Sequence, residues 1–326
     1  MKIDIIGAGS IGLLLAGKLI QSGNGVRLWC RSEEQSRALK HSGLGISYEN
    51  GQAAVVIAGD TFSAASVHGF AEAYLHEPGD WTAITVKQNA LHYEMPEIFS
   101  PLSGSRLNIL CFQNGYGHLE FLRELLPEAS IWAAVTTEAA KRKTANGVIH
   151  AGKGELYIGK DWNSKKLLAA EKQEEGNTSV RTLIKQLRSA GFSAHLSNDM
   201  DTMIYRKLLI NAVINPLTAI WRIRNGELLA SEERIQLMKE LYKEAISVYD
   251  ACGIRYEDGA WENILSVCRA TSGNISSMLA DVTALRATEV RWINGYIVDM
   301  GERCGVQVPL NRWVCRMVEG MMVRER

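Results

Sequence analysis

Residues 2–12 read KIDIIGAGSIG, a short apolar run followed directly by glycines at the spacing G-x-G-x-x-G. Lys2–Ile6 has the β-branched character of a strand, and residues 11–20 carry apolar side chains at helical spacing. In a turn from strand to helix, Gly7 permits the tight turn, Gly9 lets the backbone approach a pyrophosphate, and Gly12 lets the helix pack on the sheet. The stretch predicts a dinucleotide-binding α/β domain; the alternative is a glycine-rich turn without a ligand.

The chain beyond this turn alternates between strand and helix patterns. Val26–Cys30 is strand-like, and Ser32 is a suitable N-cap for a polar helix that closes near Gly43. This alternation predicts a parallel sheet with helices on its faces. Further apolar runs lie at 53–58, 82–86, 107–112, 131–136, 148–151 and 156–158. Because the later runs lack full helices between them, we expect that end of the sheet to be mixed or antiparallel.

The next stretch, 161–179, is charged and has few apolar anchors. It predicts a solvated connection, followed by a helix over 180–187 and a short strand over 192–196.

No segment from residue 199 onward resembles a strand. Residues 200–215 are apolar at helical spacing, Ser231 opens a long helix that stops before Gly253, and another long helix is predicted over 283–303. We therefore expect an N-terminal Rossmann-type NADP-binding domain over residues 1–198. An all-helical domain with the substrate-binding and catalytic residues is expected over 199–326.

Composition narrows the class of protein. At roughly 150 residues per domain, 326 residues correspond to about two domains. Lys and Arg together number 36, as do Asp and Glu, so the charge excess typical of a nucleic-acid binder is missing. The sequence contains no signal-peptide pattern and no uncharged apolar run of membrane-spanning length. These observations predict a cytoplasmic protein without a nucleic-acid or membrane partner.

The cysteines and histidines show no metal-ligand spacing, so no metal is expected. None of the six cysteines forms a CxxC pair, and most have apolar neighbours. We predict that they are buried free thiols.

The strand over 26–30 ends at Arg31, where a site for NAD would carry Asp or Glu to bind the ribose 2′-hydroxyl. A guanidinium at this position suits a 2′-phosphate, so NADP is the expected cofactor. The alternative is a solvated surface arginine.

Lys207, Asn211 and Asn215 lie at i, i+4 and i+8 in an otherwise apolar segment, so they form one polar stripe along a helix. Buried polar groups must find partners. They either form a hydrogen-bond ladder between helices or line a site where an ammonium donates a proton and amides bind a substrate. Burial would lower the pKa of Lys207, and a nearby carboxylate would raise it. Pro216 predicts that the helix ends or kinks at Asn215.

The sequence resembles the ketopantoate reductase (2-dehydropantoate 2-reductase) family over essentially its whole length. The motifs that carry this resemblance are GAGSIG at 7–12, KQNA at 87–90, QNGYG at 113–117, TTEAA at 136–140, RKLLINAVINPLTA at 206–219, NGEL at 225–228 and SSMLADVTALRATE at 276–289. The lysine-asparagine run and the run from Ser276 to Glu289 are specific when they occur together.

The resemblance implies a role for each motif residue. Lys207 would be the general acid, and Glu289 an acid at the nicotinamide end of the site that acts in catalysis and contacts the cofactor. The implied cofactor-binding residues are Gly7, Ala8, Gly9, Ser10, Ile11, Gly12, Arg31, Lys87, Asn114 and Ala140. The implied substrate-binding residues are Asn114, Lys207, Asn211, Asn215, Asn225 and Ser277. Ala90 departs from the family, whose members often carry Gln there to help hold the cofactor.

The implied reaction is NADPH-dependent reduction of ketopantoate to (R)-pantoate in the pathway to pantothenate and coenzyme A. The substrate partner would be a small 2-keto acid. Two rivals remain: a reductase of another branched 2-keto or 3-hydroxy acid, and a non-catalytic NADP-sensing protein. A homodimer is compatible with the sequence, which does not fix the oligomeric state.

Overall fold

Strand β1 (Lys2–Ile6) and helix α1 (Ser10–Gln21) flank the glycine turn in the computed structural model, as predicted. The structure describes residues 1–161 and 170–322, with residues 170–177 described by their backbone. The chain folds into two compact units. The first contains Met1–Gln113 and His118–Met200, and the second contains Asn114–Gly117 and the chain from Asp201 onward.

The first unit is built on an eight-stranded sheet. Its strands are, in spatial order, β12 (Ser193–Leu196), β11 (Glu155–Gly159), β8 (Ser130–Thr136), β7 (Asn108–Cys111), β6 (Trp81–Ile84), β1, β2 (Gly25–Cys30) and β5 (Ser63–Ser66). Neighbouring strands are parallel except for β8 and β11, which pair antiparallel. The prediction of a parallel sheet with a mixed end is confirmed.

A smaller four-stranded sheet completes the β-structure of this unit. Its order is β4 (Val55–Ile57), β3 (Leu44–Tyr48), β10 (Gly147–Gly152) and β9 (Ala139–Arg142). Helix α1 packs on strands of both sheets, and its leucines are fully buried in one continuous apolar core. The helix that begins at the glycine turn is therefore fixed on two sides.

The remaining helices of the first unit are α2 (Glu33–Ser42), α3 (Phe70–His76), α4 (Gln88–Tyr93), α5 (Met95–Phe99), α6 (His118–Leu125) and α7 (Ala170–Ser189). Helix α2 confirms the predicted caps, since the Ser32 side chain accepts a hydrogen bond from Gln35 N and the helix ends at Gly43.

Helix α7 begins at Ala170, ten residues earlier than predicted. The prediction of a connection is wrong for 170–179. The buried apolar residues of 180–187 anchor the helix, and the good helix formers of 170–175 let it extend toward its N-terminus. Residues 162–169 of the predicted connection lie outside the described part of the chain.

Helices make up the second unit, and no strand occurs among its described residues. They are α8 (Met200–Trp221), α9 (Glu232–Ala251), α10 (Ala260–Ala270), α11 (Ser277–Thr283), α12 (Val290–Cys304) and α13 (Pro309–Gly320), with a 3₁₀ turn at Asn225–Leu229. These helices enclose their own apolar core. The all-helical prediction is confirmed, and the roles assigned to the two domains stay predictions.

The prediction of a single helix over 283–303 is wrong, because two helices occupy this part of the chain. Helix α11 ends at Thr283, where backbone N–H groups of Ala284 and Arg286 turn back to the carbonyl of Asp281. Leu285 has a φ of 51°, which no helix accommodates. A new helix, α12, then begins with Glu289 as its N-cap residue.

Of the two outcomes predicted from Pro216, an end or a kink at Asn215, the end is wrong, because α8 continues through Pro216 to Trp221. Residues 212–219 are buried on every side, so packing holds the helix together where the proline removes one hydrogen bond.

Cys252 and Cys304 form a disulfide, with their Cα atoms 6.1 Å apart. They follow α9 and end α12, two helices that pack against each other. The prediction of free thiols is wrong for this pair. Cys30, Cys111, Cys268 and Cys315 are free and buried.

Candidate active site

The glycine turn is held by Thr85, which directly follows β6, a neighbour of β1 in the sheet. The Thr85 hydroxyl donates to the carbonyl of Gly7 at 2.7 Å and to that of Ile6 at 3.1 Å. Gly7 has a φ of 108°, and a Cβ there would lie 2.8 Å from the side chain of Val86. A Cβ at Gly12 would overlap the carbonyl of Gly7. These two glycines are therefore required by the turn itself.

Gly9 is different, because a Cβ there would have no neighbour within 4 Å. It is the N-cap residue of α1, whose first turn carries no acidic side chain. The N–H groups of a first helical turn lack intrahelical partners and bear a partial positive charge. Open space beside such a turn suits a pyrophosphate, so the residues present fit a dinucleotide.

Arg31 follows β2, and Lys87 follows β6 as the N-cap residue of α4. These strands lie on either side of β1 and run parallel to it, so both residues share one edge of the sheet with the glycine turn. The Arg31 side chain is 81% exposed and pairs with Glu94 at 2.9 Å. Ala140 lies in β9 of the smaller sheet, and Ala90 lies on α4.

Asn114 belongs to a four-residue segment of the second unit. Gly115 has a φ of 80°, and Tyr116 N donates to the carbonyl of Trp292 at 3.1 Å. The Tyr116 ring stacks between Tyr205 and Tyr296, with centroid distances of 5.1 and 4.9 Å. The backbone hydrogen bond and the stacked rings fix this segment.

The fixed segment places Asn114 beside Glu289. Asn114 Nδ2 lies 3.4 Å from Glu289 Oε2, and Glu289 is 8% exposed at the start of α12. Glu289 therefore accepts a hydrogen bond from an amide on the segment that Trp292, one turn further along α12, holds in place.

Lys207 lies on α8, and two opposing effects act on its ammonium. Burial lowers the pKa of Lys207 to about 8, and the carboxylate of Glu289 acts in the opposite direction. The sequence predicted both directions. Lys207, Glu289 and Asn114 thus form one group in the second unit, able to exchange a proton and to donate hydrogen bonds.

Asn211 and Asn215 follow Lys207 on α8; Asn211 is half-buried and Asn215 is buried. One turn beyond Asn215, Thr218 donates to the hydroxyl of Ser276 at 2.7 Å. Ser277 is the next residue and begins α11. This bond ties the asparagine helix to the element that carries Ser277.

Asn225 is 8% exposed and donates to the Thr271 hydroxyl at 2.9 Å. Its Oδ1 is buried and has no hydrogen-bond partner within the described chain. An unpaired buried acceptor suits a residue that meets a ligand.

Sequence reasoning missed several residues that contact the elements carrying these side chains, namely the stacked tyrosines, Trp292 and Asn294. Asn294 is fully buried and donates to the carbonyl of Ala212 on α8 at 2.9 Å. A signal existed, because a proline inside an apolar helix leaves one carbonyl that needs an outside donor.

Residues 1–161 and 170–322 were compared with two patterns, a membrane-crossing helix and a cluster of metal-binding side chains. No helix in these ranges is long and apolar enough to cross a membrane. In the same ranges, no three or more His, Cys, Asp or Glu side chains converge as a metal site.

Two family models match the chain. The model described as ketopantoate reductase PanE/ApbA covers residues 3–162, and the model of the C-terminal part of the same family covers residues 199–322. Together they span the glycine turn and the lysine-asparagine helix.

Curated relatives agree with these models. The 2-dehydropantoate 2-reductase of Bacillus subtilis is 32% identical over 91% of this chain and 90% of its own length. The enzyme of the same name from Archaeoglobus fulgidus is 30% identical over 98% of this chain and 97% of its own.

Solved structures share the fold. The structure of panE from Bacillus subtilis has a TM-score of 0.77 and 28% identity, covering 98% of this chain and all of its own. A D-mandelate dehydrogenase complex with NADH and anilino(oxo)acetate has a TM-score of 0.83 at 22% identity, covering 99% and 98%. A dimeric ketopantoate reductase from Staphylococcus aureus has a TM-score of 0.73 at 19% identity, covering 99% of each. At 22% and 19% identity, the last two structures show only that the fold is shared.

The family models together cover most of the chain, and the relatives match it nearly end to end. The predictions of the family, of the fold class and of an oxidoreductase are confirmed. The protein belongs to the ketopantoate reductase family of nicotinamide-dependent oxidoreductases.

Proposed function

We propose that this protein reduces 2-dehydropantoate (ketopantoate) to (R)-pantoate with NADPH, a step in the biosynthesis of pantothenate and coenzyme A. The observation that carries the proposal is the grouping of Lys207, Glu289 and Asn114 in the second unit. Reduction of a ketone places negative charge on its oxygen, which a buried ammonium can neutralise and protonate. Membership of the family supports the substrate.

Residues 1–198 are the proposed NADP-binding domain. The residues proposed to hold the pyrophosphate are Gly7, Ala8, Gly9, Ser10, Ile11 and Gly12, and Arg31 is assigned to the 2′-phosphate. Lys87, Asn114, Ala140 and Glu289 would make the further contacts. When bound, the reduced nicotinamide supplies the hydride for C2 of the keto acid.

Residues 199–326 are the proposed substrate and catalytic domain. Lys207 donates its proton from Nζ to the keto oxygen. Glu289 favours the protonated form of Lys207, because its carboxylate raises the pKa that burial lowers. Asn114 donates a hydrogen bond to Glu289 and so orients the carboxylate.

The substrate is assigned to the amides and the hydroxyl around Lys207, namely Asn114, Asn211, Asn215, Asn225 and Ser277. Asn211, one turn from Lys207, is proposed to bind the keto oxygen, which gains negative charge during the reaction. Replacing Asn211 should therefore lower kcat. Asn215, two turns away, is assigned to a part of the substrate whose charge is constant, so its loss raises KM.

The experiment is a substrate screen of the purified protein. Oxidation of NADPH and of NADH is followed with ketopantoate, with other branched 2-keto acids and with the keto acid corresponding to mandelate. The proposal expects the highest kcat/KM with ketopantoate and NADPH. A higher kcat/KM with another acid would show that the protein is a reductase of that acid instead. NADPH binding without turnover of any acid would favour a non-catalytic NADP-sensing protein.

A cytoplasmic homodimer completes the proposal. The structure from Staphylococcus aureus, which shares the fold, is described as dimeric, and the proposal extends that state to this chain. Light scattering of the purified protein after size-exclusion chromatography measures it, and a monomeric mass at assay concentration would refute it.

A further inference from the structure

Pro216 interrupts the hydrogen-bond ladder of α8 between the two asparagines assigned to the substrate. In an α-helix each N–H donates to the carbonyl four residues earlier, so the missing N–H of Pro216 leaves the Ala212 carbonyl without its helical donor. Ala212 is 1% exposed, so water does not replace that donor. The Ala212 carbonyl, which lacks its helical donor, lies next to Asn211 in the chain, and Pro216, whose N–H is missing, lies next to Asn215.

The side chain of Asn294, on α12, fills this gap. Its Nδ2 donates to the Ala212 carbonyl at 2.9 Å and to Asn311 Oδ1 at 3.0 Å. Two acceptors around one amide group identify it as the NH₂ group. Asn294 Oδ1 is buried and has no hydrogen-bond partner in the described ranges. Burying Oδ1 without a donor costs free energy. The hydrogen bond from Nδ2 to the Ala212 carbonyl therefore explains why an amide side chain stands at this position.

The amide of Asn294 is itself held in place. Asn311 donates from Nδ2 and from its backbone N to Glu244 Oε2, each at 2.9 Å. Leu310 N donates to the other oxygen of Glu244 at 2.9 Å. Glu244 on α9 and the start of α13 therefore fix Asn311, and Asn311 fixes the direction in which Asn294 donates.

We propose that Asn294 is a positioning residue: by holding the Ala212 carbonyl across the Pro216 gap, it sets where Asn211 and Asn215 lie relative to Lys207. Asn294 acts through α8 and need not touch the substrate. The inference rests on the proposed function for its kinetic readout. Glu289 is the N-cap residue of α12, so the same element supplies the carboxylate that acts on Lys207 and the donor to the Ala212 carbonyl.

The test combines Asn294→Leu with Pro216→Ala. Asn294→Leu removes the donor at similar side-chain volume, and we expect the KM for ketopantoate to rise about tenfold with NADPH affinity unchanged. Pro216→Ala restores the backbone N–H that the Ala212 carbonyl accepts. The double variant should therefore recover a KM within about twofold of Pro216→Ala alone.

Tyr249→Phe is the matched control. The Tyr249 hydroxyl is a buried donor to a carbonyl of the same helix, that of Tyr205, at 2.9 Å. That carbonyl retains its helical donor, because residue 209 is not proline. We expect Tyr249→Phe to lower the melting temperature and leave the KM for ketopantoate unchanged. A similar rise in KM for Tyr249→Phe and Asn294→Leu would mean that Asn294 is only structural.

Two further comparisons test the proposal if a variant does not fold or if the wild type is inactive. If Asn294→Leu does not fold, Pro216→Ala is compared with the double variant, and a tenfold higher KM in the double variant overturns the proposal. If the wild type does not reduce ketopantoate, the proposed function fails, and amide exchange of residues 208–220 without ligand decides about Asn294. Faster exchange in Asn294→Leu that Pro216→Ala reverses supports it; unchanged exchange overturns it.

Discussion

The backbone carbonyl oxygen of Trp292 lies 2.2 Å from the position that a Cβ of residue 115 would take, so only glycine leaves room for it. The same carbonyl accepts the hydrogen bond of Tyr116 N. A substitution at Gly115 therefore acts on the contact that places Asn114 beside Glu289.

Gly115→Ala should lower kcat/KM by at least about tenfold, because the new methyl group displaces the segment and the φ of 80° adds strain of about 1 kcal/mol. Steady-state kinetics measure the effect. Gly273→Ala is the control, since Gly273 lies in the same unit with nothing within 4 Å of its Cβ position. Equal kinetics for both variants would contradict a role for Gly115 in positioning Asn114.

Arg31→Ala should weaken NADPH about 10- to 150-fold and leave NADH nearly unchanged. A charge-assisted hydrogen bond to a phosphate is worth about 1.5–3 kcal/mol, and NADH has no 2′-phosphate. Titration of each cofactor by fluorescence or calorimetry measures the two Kd values. Equal weakening of both would show that Arg31 does not bind the 2′-phosphate.

Glu94→Gln should tighten NADPH by about two- to fivefold. Glu94 pairs with Arg31 at 2.9 Å, so its carboxylate competes with the phosphate for the guanidinium. The pair is exposed, which limits its strength to about 1 kcal/mol. The Kd of NADH should not change, and the gain should shrink as salt is added. Weaker NADPH binding by the variant would mean that Glu94 orients Arg31 rather than competing for it.

Local patterns predicted much of the first unit. Strand, glycine turn and helix follow one another within twenty residues, and Ser32 caps α2 through its own side chain, so the sequence suffices for both. The lysine-asparagine stripe is likewise a property of one helix. These features depend on neighbours along the chain.

The features that sequence reasoning missed depend on residues far apart in the chain. Pro216 suggested a helix end, and the donor that lets the helix continue is 82 residues away from Ala212. The disulfide joins residues 52 apart. The break between α11 and α12 depends on backbone bonds to Asp281 that apolar periodicity does not reveal.

Reduction of the Cys252–Cys304 disulfide should lower the stability of the protein. The bond closes a loop of 52 residues, and the loss of chain entropy on cross-linking predicts up to about 4 kcal/mol of stabilisation. A thermal melt with reductant should show a Tm lower by about 10 °C. Cys252→Ser/Cys304→Ser should melt at the lower temperature with or without reductant. Identical melts of oxidised and reduced wild type would exclude a contribution from this bond.

The proton donor assigned to Lys207 predicts a basic limb in the pH profile of keto-acid reduction. Its pKa is about 8, so the ammonium predominates at pH 7 and kcat should fall as the pH rises through about 8. Lys207→Ala should lower kcat by about 10²–10⁴ and abolish the limb. Lys160→Met is the control, because burial lowers the pKa of Lys160 to about 8 as well, and its ammonium instead lies over the Trp132 ring. If the fall of kcat through about pH 8 disappeared in Lys160→Met, it would belong to Lys160 and not to Lys207.

Glu289→Gln should move that limb to lower pH. The carboxylate of Glu289 raises the pKa of Lys207 against the effect of burial, so an uncharged amide leaves burial to lower the pKa further. At pH 7 the variant should lose activity because less Lys207 carries a proton, and part of that loss should return at pH 6. A merely structural role for Glu289 would lower kcat equally at every pH and leave the midpoint at about 8. A midpoint displaced to higher pH would contradict the charge coupling between the two residues.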